Sequence, residues 1–377
     1  MHVKHCLKLF AIILVSSLAL LLLLLQQFII YGKIQLYHSL KQVFIHSDST
    51  PSTSSSTQNE QLVVVASGFT WAENLIISDR NGIAFMSDAF GDRLWKIFYN
   101  ESSAKFEQHV FLDVETSPFS NYLGVALHEN HENSSVENYS AHVPFPDGSQ
   151  LYVVVRNHQD GESYVISMNP NIPFQYDIVT RLPKIGNGLA LHKKTRQLYV
   201  TTEGGFLPYG GQVYQVNPQT RSYSTILTDL YAADGAYIDQ ERNWLYVSQV
   251  IGSKVLVIDL DKLSSGLNPK VKREDLVIRE FYAPCEALDD FTLSHDGKIM
   301  YGADFLGGRV MKFSAWDGSN SSVVMSDLIF PTSVRLGPRN LRPMKGEQAT
   351  SSLFVTEGGG LFPSIVKNRK LLEILKY

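Results

Sequence analysis

Four residues with oxygen-bearing side chains each stand directly before a short apolar stretch. Glu73 precedes Asn74-Leu75-Ile76-Ile77, and Asn187 precedes Gly188-Leu189-Ala190-Leu191. Asp234 precedes Gly235-Ala236-Tyr237-Ile238, and Asp289 precedes Asp290-Phe291-Thr292-Leu293. Brought to one point, three carboxylates and an amide would repel one another unless a cation compensates them. An all-oxygen donor set suits a hard ion, and Ca²⁺, which takes about six to eight oxygen ligands, is the natural occupant; another divalent cation would fit the same donors. Asp290 can add a ligand or a hydrogen bond to one. Asn-Gly and Asp-Gly are also frequent turn formers, so any one of these residues alone would read as a turn. Four in register, with Glu73 among them, favour the metal. No His/Cys cluster has zinc spacing.

Something must place these leading residues side by side, and a repeat does so. A strand-like triplet recurs as Ala84-Phe85-Met86, Leu151-Tyr152-Val153, Leu198-Tyr199-Val200, Leu245-Tyr246-Val247, Ile299-Met300-Tyr301 and Leu353-Phe354-Val355. Successive starts lie 67, 47, 47, 54 and 54 residues apart. Short strands repeating at that period are the mark of a β-propeller blade. The spacing predicts an all-β, six-bladed propeller over residues 62–377. Its blades span Trp71 to Ile97, Gly124 to Met168, Asn187 to Val216, Asp234 to Leu260, Leu288 to Phe313, and Pro331 to the C-terminus. The innermost strand of each blade lines the central channel, so the leading column becomes a ring. The second and sixth blades put Leu123 and Thr332 in that column. Leu62-Val63-Val64-Val65 can supply an outer strand to the last blade and lock the circle.

The chain has 377 residues and a formal net charge of -4, with no long basic run. That argues against nucleic acid as a partner, since phosphate binding needs clustered Lys and Arg. The two cysteines are Cys6 and Cys285. Cys6 precedes an apolar segment and would not share a compartment with Cys285, so no disulfide is expected and Cys285 reads as a small packed thiol. Residues 9–31 carry no charge and contain Leu21-Leu22-Leu23-Leu24-Leu25, enough for a transmembrane signal anchor; a cleaved signal peptide is the alternative, though its apolar region is usually shorter. Residues 1–8 would then be a cytoplasmic N-terminus and 32–61 a juxtamembrane segment with a Ser/Thr-rich linker. Residues 32–46 have an amphipathic pattern that suits either a membrane surface or a plain spacer. Asn100, Asn133, Asn138 and Asn320 head N-x-[ST] sequons in polar stretches and are candidate N-glycan sites. Sequons behind an anchor imply a type II topology, with the propeller lumenal or extracellular.

The stretches Asp234-Gly235-Ala236-Tyr237-Ile238…Trp244-Leu245-Tyr246-Val247 and Trp71-Ala72-Glu73-Asn74-Leu75 resemble the calcium-dependent six-bladed propeller hydrolases. These are the paraoxonases/arylesterases, diisopropyl fluorophosphatase and the gluconolactonase/regucalcin family. The resemblance covers roughly residues 65–360. It implies Glu73, Asn187, Asp234, Asp289 and Asp290 as ligands of a catalytic Ca²⁺. It also implies hydrolysis of a small lactone or ester, with the ion polarising the carbonyl or phosphoryl oxygen. Paraoxonases carry amides where this chain has Asp234 and Asp290, and a histidine where it has Leu123. The paraoxonase disulfide has no counterpart. Arg156-Asn157-His158 resembles the segment holding a second family histidine, so the base implied is His158 or a carboxylate, Asp289 or Asp234. The alternative is a strictosidine synthase-like propeller acting as a membrane-tethered ligand-binding or adhesion module. Substrate choice would fall to Phe206-Leu207-Pro208-Tyr209, Phe305-Leu306-Gly307-Gly308 and the polar insertion 128–149.

Overall fold

In a computed structural model of the chain, residues 62–78, 80–130, 144–204, 209–264, 273–338, 351–358 and 369–374 are described. All lie in one compact unit, Glu60–Tyr377. The expected anchor, the linker, Cys6, Asn133 and Asn138 fall outside the described residues. Among those described, no helix is long and apolar enough to cross a membrane.

The chain opens with β1 (Leu62–Phe69) and then builds blade after blade. Blade 1 is β2 (Ala72–Ile77), β3 (Ala84–Asp88), β4 (Arg93–Asn100) and β5 (Lys105–Asp113). Blade 2 has a divided inner strand, β6 (Phe119–Ser120) and β7 (Val125–His128), followed by β8 (Gln150–Asn157), β9 (Ser163–Met168) and β10 (Asp177–Leu182). Blade 3 is β11 (Gly186–His192), β12 (Gln197–Thr202), β13 (Gly211–Asn217) and β14 (Ser222–Leu230). Blade 4 is β15 (Ala233–Asp239), β16 (Trp244–Gln249), β17 (Lys254–Asp259) and β18 (Val277–Tyr282). Blade 5 is β19 (Leu288–Leu293), β20 (Ile299–Asp304), β21 (Arg309–Ser314) and β22 (Ser322–Met325). Blade 6 is β23 (Pro331–Pro338), β24 (Ser351–Glu357) and β25 (Arg369–Ile374), completed by β1 as its outer strand.

The six blades are those the repeat predicts, and β1 closes the ring as expected. Its register on β25 runs from Leu62 opposite Ile374 to Phe69 opposite Arg369. The blades are wider than the sequence suggested. In blades 1 to 5 the expected extent stopped before the outer strand, because that strand is half solvent-facing and reads as polar; Ser222–Leu230 is the plainest case.

Six apolar clusters fill the six spaces between neighbouring blades. Between blades 4 and 5, for example, Tyr246, Val255 and Val257 meet Leu288, Phe291, Met300 and Phe313. The second strand of a blade is packed on both faces, so its triplet is apolar without alternation, as in the fully buried Leu245-Tyr246-Val247.

Every intact inner strand carries a register shift at its leading residue: Ala72/Leu75, Gly186/Leu189, Ala233/Ala236, Leu288/Phe291 and Pro331/Ser333. A bulge there bends the strand and re-aims one side chain. In blade 2 the strand is interrupted outright, with Asn121 in the left-handed region (φ 45).

A candidate metal centre

The leading residues converge. Glu73, Asp234 and Asp289 are buried and present carboxylate oxygens within 4.8 Å of one another. Asn187 is also buried, and its Nδ2 donates to Glu203 Oε1 at 2.6 Å. Trp71 Nε1 donates to Glu73 Oε2.

Three recurrent devices hold these groups. Glycine follows the leading residue in blades 2, 3 and 4, because the next blade lies against it. A Cβ on Gly124 would overlap the Asn187 carbonyl oxygen, and one on Gly188 the Asp234 carbonyl oxygen. Hydroxyl residues just after the strand triplets then fasten the leading residues' carbonyls. Thr201 Oγ1 donates to the Asp234 carbonyl, and Ser248 Oγ to the Asp289 carbonyl at 2.5 Å. Thr356 Oγ1 donates to the Glu73 carbonyl at 2.9 Å. The same hydroxyls accept from the backbone N–H of Gly188, Gly235 and Ser333. Finally, an acid or amide at the end of the second strand caps the loop that enters the inner strand. Asp88 accepts from Thr70 N and Trp71 N, Gln249 from Tyr231 N, Asp304 from Glu286 N and Ala287 N, and Glu357 from Ile329 N.

The electrostatics are those of acids crowded away from water. Burial, with repulsion from Glu203 and Asp290, pushes Glu73 up to about 8 from 4.5, although the Trp71 hydrogen bond acts the other way. Burial, then Glu203, Glu73 and Asp290, hold Asp234 well above the carboxylate range. Burial, then Asp234, Glu73, Asp290 and Glu203, do the same to Asp289. The residue Glu203 is exposed, yet its carboxyl turns inward onto Asn187, and burial of that group raises its pKa.

A cation fits this donor set. Asn187 Oδ1 and Asp234 Oδ1 are buried and have no hydrogen-bond partner. An orphaned oxygen within the three-carboxylate group, and a second on the leading residue of the preceding blade, want a positive charge rather than another acceptor. All the available donors are oxygens, which favours Ca²⁺ or a similar hard ion.

Not every expected ligand is in the cluster. Asp290 has both oxygens engaged elsewhere. Its Oδ2 meets Arg335 Nη2 at 2.7 Å and Ser333 Oγ at 2.7 Å, and its Oδ1 accepts from Phe291 N at 2.8 Å. His158 is exposed on the turn after β8, where its N–H donates to the Pro118 carbonyl at 3.1 Å. It is not among the donors grouped within 4.8 Å. Leu123 packs into the apolar layer between blades 2 and 3. Thr332 Oγ1 donates to the Ala72 carbonyl at 2.7 Å, tying blade 6 to blade 1. The sequence reading missed Glu203, Ser333, Arg335 and the hydroxyl series. Only the last had a signal: Ser87, Thr201, Ser248 and Thr356 each follow a triplet directly.

An aromatic wall stands beside the acids. Trp71 meets Phe90 edge-on at 5.1 Å and Phe305 at 6.2 Å, and Phe305 meets Phe330 at 4.9 Å between ring centroids. Phe206, Leu207 and Pro208 lie outside the described residues, as do residues 131–143 of the insertion. Tyr209 is exposed and pairs with Tyr231. Cys285 is a half-buried free thiol whose pKa burial pushes up.

Among solved structures, a luciferin-regenerating enzyme superposes with a TM-score of 0.57 at 14% identity, covering 84% of this chain and 96% of its own. A gluconolactonase from Xanthomonas campestris gives 0.53 at 14% identity, covering 84% and 90%. The fold these structures share with the chain is the six-bladed β-propeller. The PQQ-bound aldose sugar dehydrogenase of Streptomyces coelicolor also matches, with a TM-score of 0.54 at 12% identity over 85% of this chain and all of its own. Likeness at these identities extends to the fold alone. No family model and no curated protein matches the sequence.

Proposed function

We propose that this protein is a divalent-cation-dependent hydrolase of small lactones or esters, with Ca²⁺ as its ion. The carrying observation is the buried Glu73–Asp234–Asp289 cluster beside the unpartnered oxygens of Asn187 and Asp234. Glu73, Asn187, Asp234 and Asp289 hold the ion. When bound there, the ion supplies Lewis-acid polarisation of the substrate's carbonyl or phosphoryl oxygen. The base that takes a proton from the attacking water is a carboxylate of the cluster, at Asp234 Oδ1 or on Asp289. His158 remains the second candidate, exposed on the turn after β8. Trp71 fixes Glu73 through its indole N–H, and the aromatic wall receives the apolar part of the substrate. The gluconolactonase among the structural neighbours supports a lactone as the first substrate to try.

The test joins binding to turnover. Calorimetric Ca²⁺ titration is followed by a screen of lactones, aryl esters and phosphotriesters, on the native chain and on Glu73→Gln and Asp289→Asn. Ca²⁺ binding with turnover that falls by orders of magnitude in both variants is the expected result. Unchanged turnover in both would refute the proposal.

A second reading, a non-catalytic ligand-binding propeller, is favoured by Leu123, which leaves blade 2 without a polar leading residue. Ca²⁺ binding and stabilisation without turnover across the screen would select it.

We also propose that residues 9–31 anchor the chain as a type II membrane protein, with the propeller lumenal or extracellular. Asn320, exposed on its turn, is then the most accessible described sequon, whereas Asn100 Nδ2 is held by Glu107. An Asn320→Gln variant that migrates like the native chain when expressed in secretory-competent cells would count against glycosylation there.

A further inference from the structure

We propose that Arg335 sets the affinity of the metal centre by withholding Asp290 from it. The inference rests on the cation-binding reading above. At the position after the leading residue, blades 2, 3 and 4 have glycine, whereas blade 5 has Asp290. Its carboxylate adds a further acid, besides Glu203, next to the three that face one another, and blade 6 answers it. Arg335 Nη2 lies 2.7 Å from Asp290 Oδ2 and Ser333 Oγ donates to the same oxygen, while Phe291 N occupies Oδ1. Arg335 is itself locked, with Nη1 donating to the Phe291 carbonyl at 2.8 Å and the Val334 carbonyl at 2.9 Å. Both partners are almost wholly buried, at 8% and 1% exposure of their side chains. A buried charge is tolerated only when paired, so the guanidinium serves two ends. It neutralises that acid, and with Ser333 it holds Oδ2 on blade 6 while Phe291 N engages Oδ1, so the carboxylate is tied away from the ion.

The consequence is a pair of opposite effects. Arg335→Gln removes a positive charge close to the ion and releases a carboxylate, so Ca²⁺ binds more tightly, by about tenfold or more. Asp290→Asn leaves the guanidinium uncompensated beside the ion, so Ca²⁺ binds more weakly by a similar factor. The double variant Arg335→Gln/Asp290→Asn returns toward the native affinity. A merely structural ion pair would not give this sign pattern, because both single variants would then loosen the fold and weaken binding together.

The experiment is calorimetric titration of the full chain and the three variants with Ca²⁺ alone, with thermal unfolding in chelator as a check on folding. Opposite shifts in the single variants, cancelling in the double, bear the proposal out. Shifts of the same sign, or none, in variants that melt cooperatively overturn it while the cation-binding reading stands. A native chain that takes up no Ca²⁺ overturns both. If Arg335→Gln does not fold, Asp290→Asn carries the test alone: weaker binding in a variant that melts cooperatively is expected, and native or tighter binding overturns the proposal.

Discussion

Replacing Glu73 by glutamine separates the two things the acid cluster does. Without a cation, the cluster opposes folding at neutral and alkaline pH. Glu73 is raised from 4.5 to about 8. A raised carboxyl contributes stability while it is protonated, and that contribution is lost as pH climbs from the unfolded value through the folded one. The window for Glu73 is therefore pH 4.5 to about 8. At about 1.4 kcal/mol per pKa unit, the full loss is on the order of 5 kcal/mol. Glutamine stays neutral throughout and can still accept the Trp71 N–H. In chelator at pH 8.5, Glu73→Gln should therefore melt above the native chain. The gap should be roughly 8 °C, for roughly 300 ordered residues unfolding with about 2.1 cal/mol/K each. At pH 5 the two should melt together. Asp234 and Asp289, raised in the same direction, leave a residual slope in the variant. Saturating Ca²⁺ should close most of that gap, since a ligand at about a thousand times its Kd stabilises by about 4 kcal/mol, and the variant, which has lost a ligand, gains less. The assay is differential scanning fluorimetry across pH, with chelator and with Ca²⁺. A native melting temperature that does not fall between pH 5 and 8.5 in chelator would refute the electrostatic reasoning. So would a Ca²⁺ response equal in the two proteins.

Thr201→Val keeps shape but removes the hydroxyl shared by the Asp234 carbonyl and Gly188 N, and should cost about 1–3 kcal/mol in urea unfolding and weaken Ca²⁺ binding. Gly188→Ala drives a methyl into the Asp234 carbonyl, so blades 3 and 4 must separate; a loss of about 1–3 kcal/mol and a smaller Ca²⁺-induced rise in melting temperature are expected. Deleting residues 62–69 from the chain removes β1 and with it the buried Val65 and Phe69. That should cost about 1.5–3 kcal/mol per lost side chain and expose the β25 edge, seen as a lower melting temperature and as higher-order species in size-exclusion chromatography.

The propeller was legible because its inner two strands have a strong sequence signature. Leu198-Tyr199-Val200 and Leu245-Tyr246-Val247 are buried on both faces, so no polar residue interrupts them. The outer strands left little trace. Lys105–Asp113 and Ser222–Leu230 pair on one side and meet solvent on much of the rest, so their polar residues read as loop. The leading column was visible for a related reason: Gly188 and Gly235 are required by the next blade's backbone, which puts Asn-Gly and Asp-Gly in register. Glu203, Ser333 and Arg335 were not visible. Each acts across a hairpin or a blade boundary, on Asn187 or Asp290, and no spacing within one repeat encodes such a contact. Asp290 illustrates the cost. Read along the chain it is one more acid in the ring, whereas its partner lies 45 residues on, in the next blade.

That exclusion bears on whether the centre is built for catalysis. Among the described residues, the leading column supplies Glu73, Asn187, Asp234 and Asp289. Leu123 is spent on the layer between blades 2 and 3, Thr332 on the Ala72 carbonyl, and Asp290 on Arg335. If each remaining side chain gives one oxygen, the protein fills four positions, and a calcium ion takes about six to eight. A structural ion would normally find the balance in backbone carbonyls, but those of Glu73, Asp234 and Asp289 are already committed to Thr356, Thr201 and Ser248. On the proposed reading, and among the described residues, the balance is left to water or to a substrate oxygen arriving past Trp71 and Phe305. A centre that keeps its own carbonyls occupied and one of its acids tied away has positions to offer a ligand, and that condition is one a hydrolytic metal site must satisfy and a purely structural one need not.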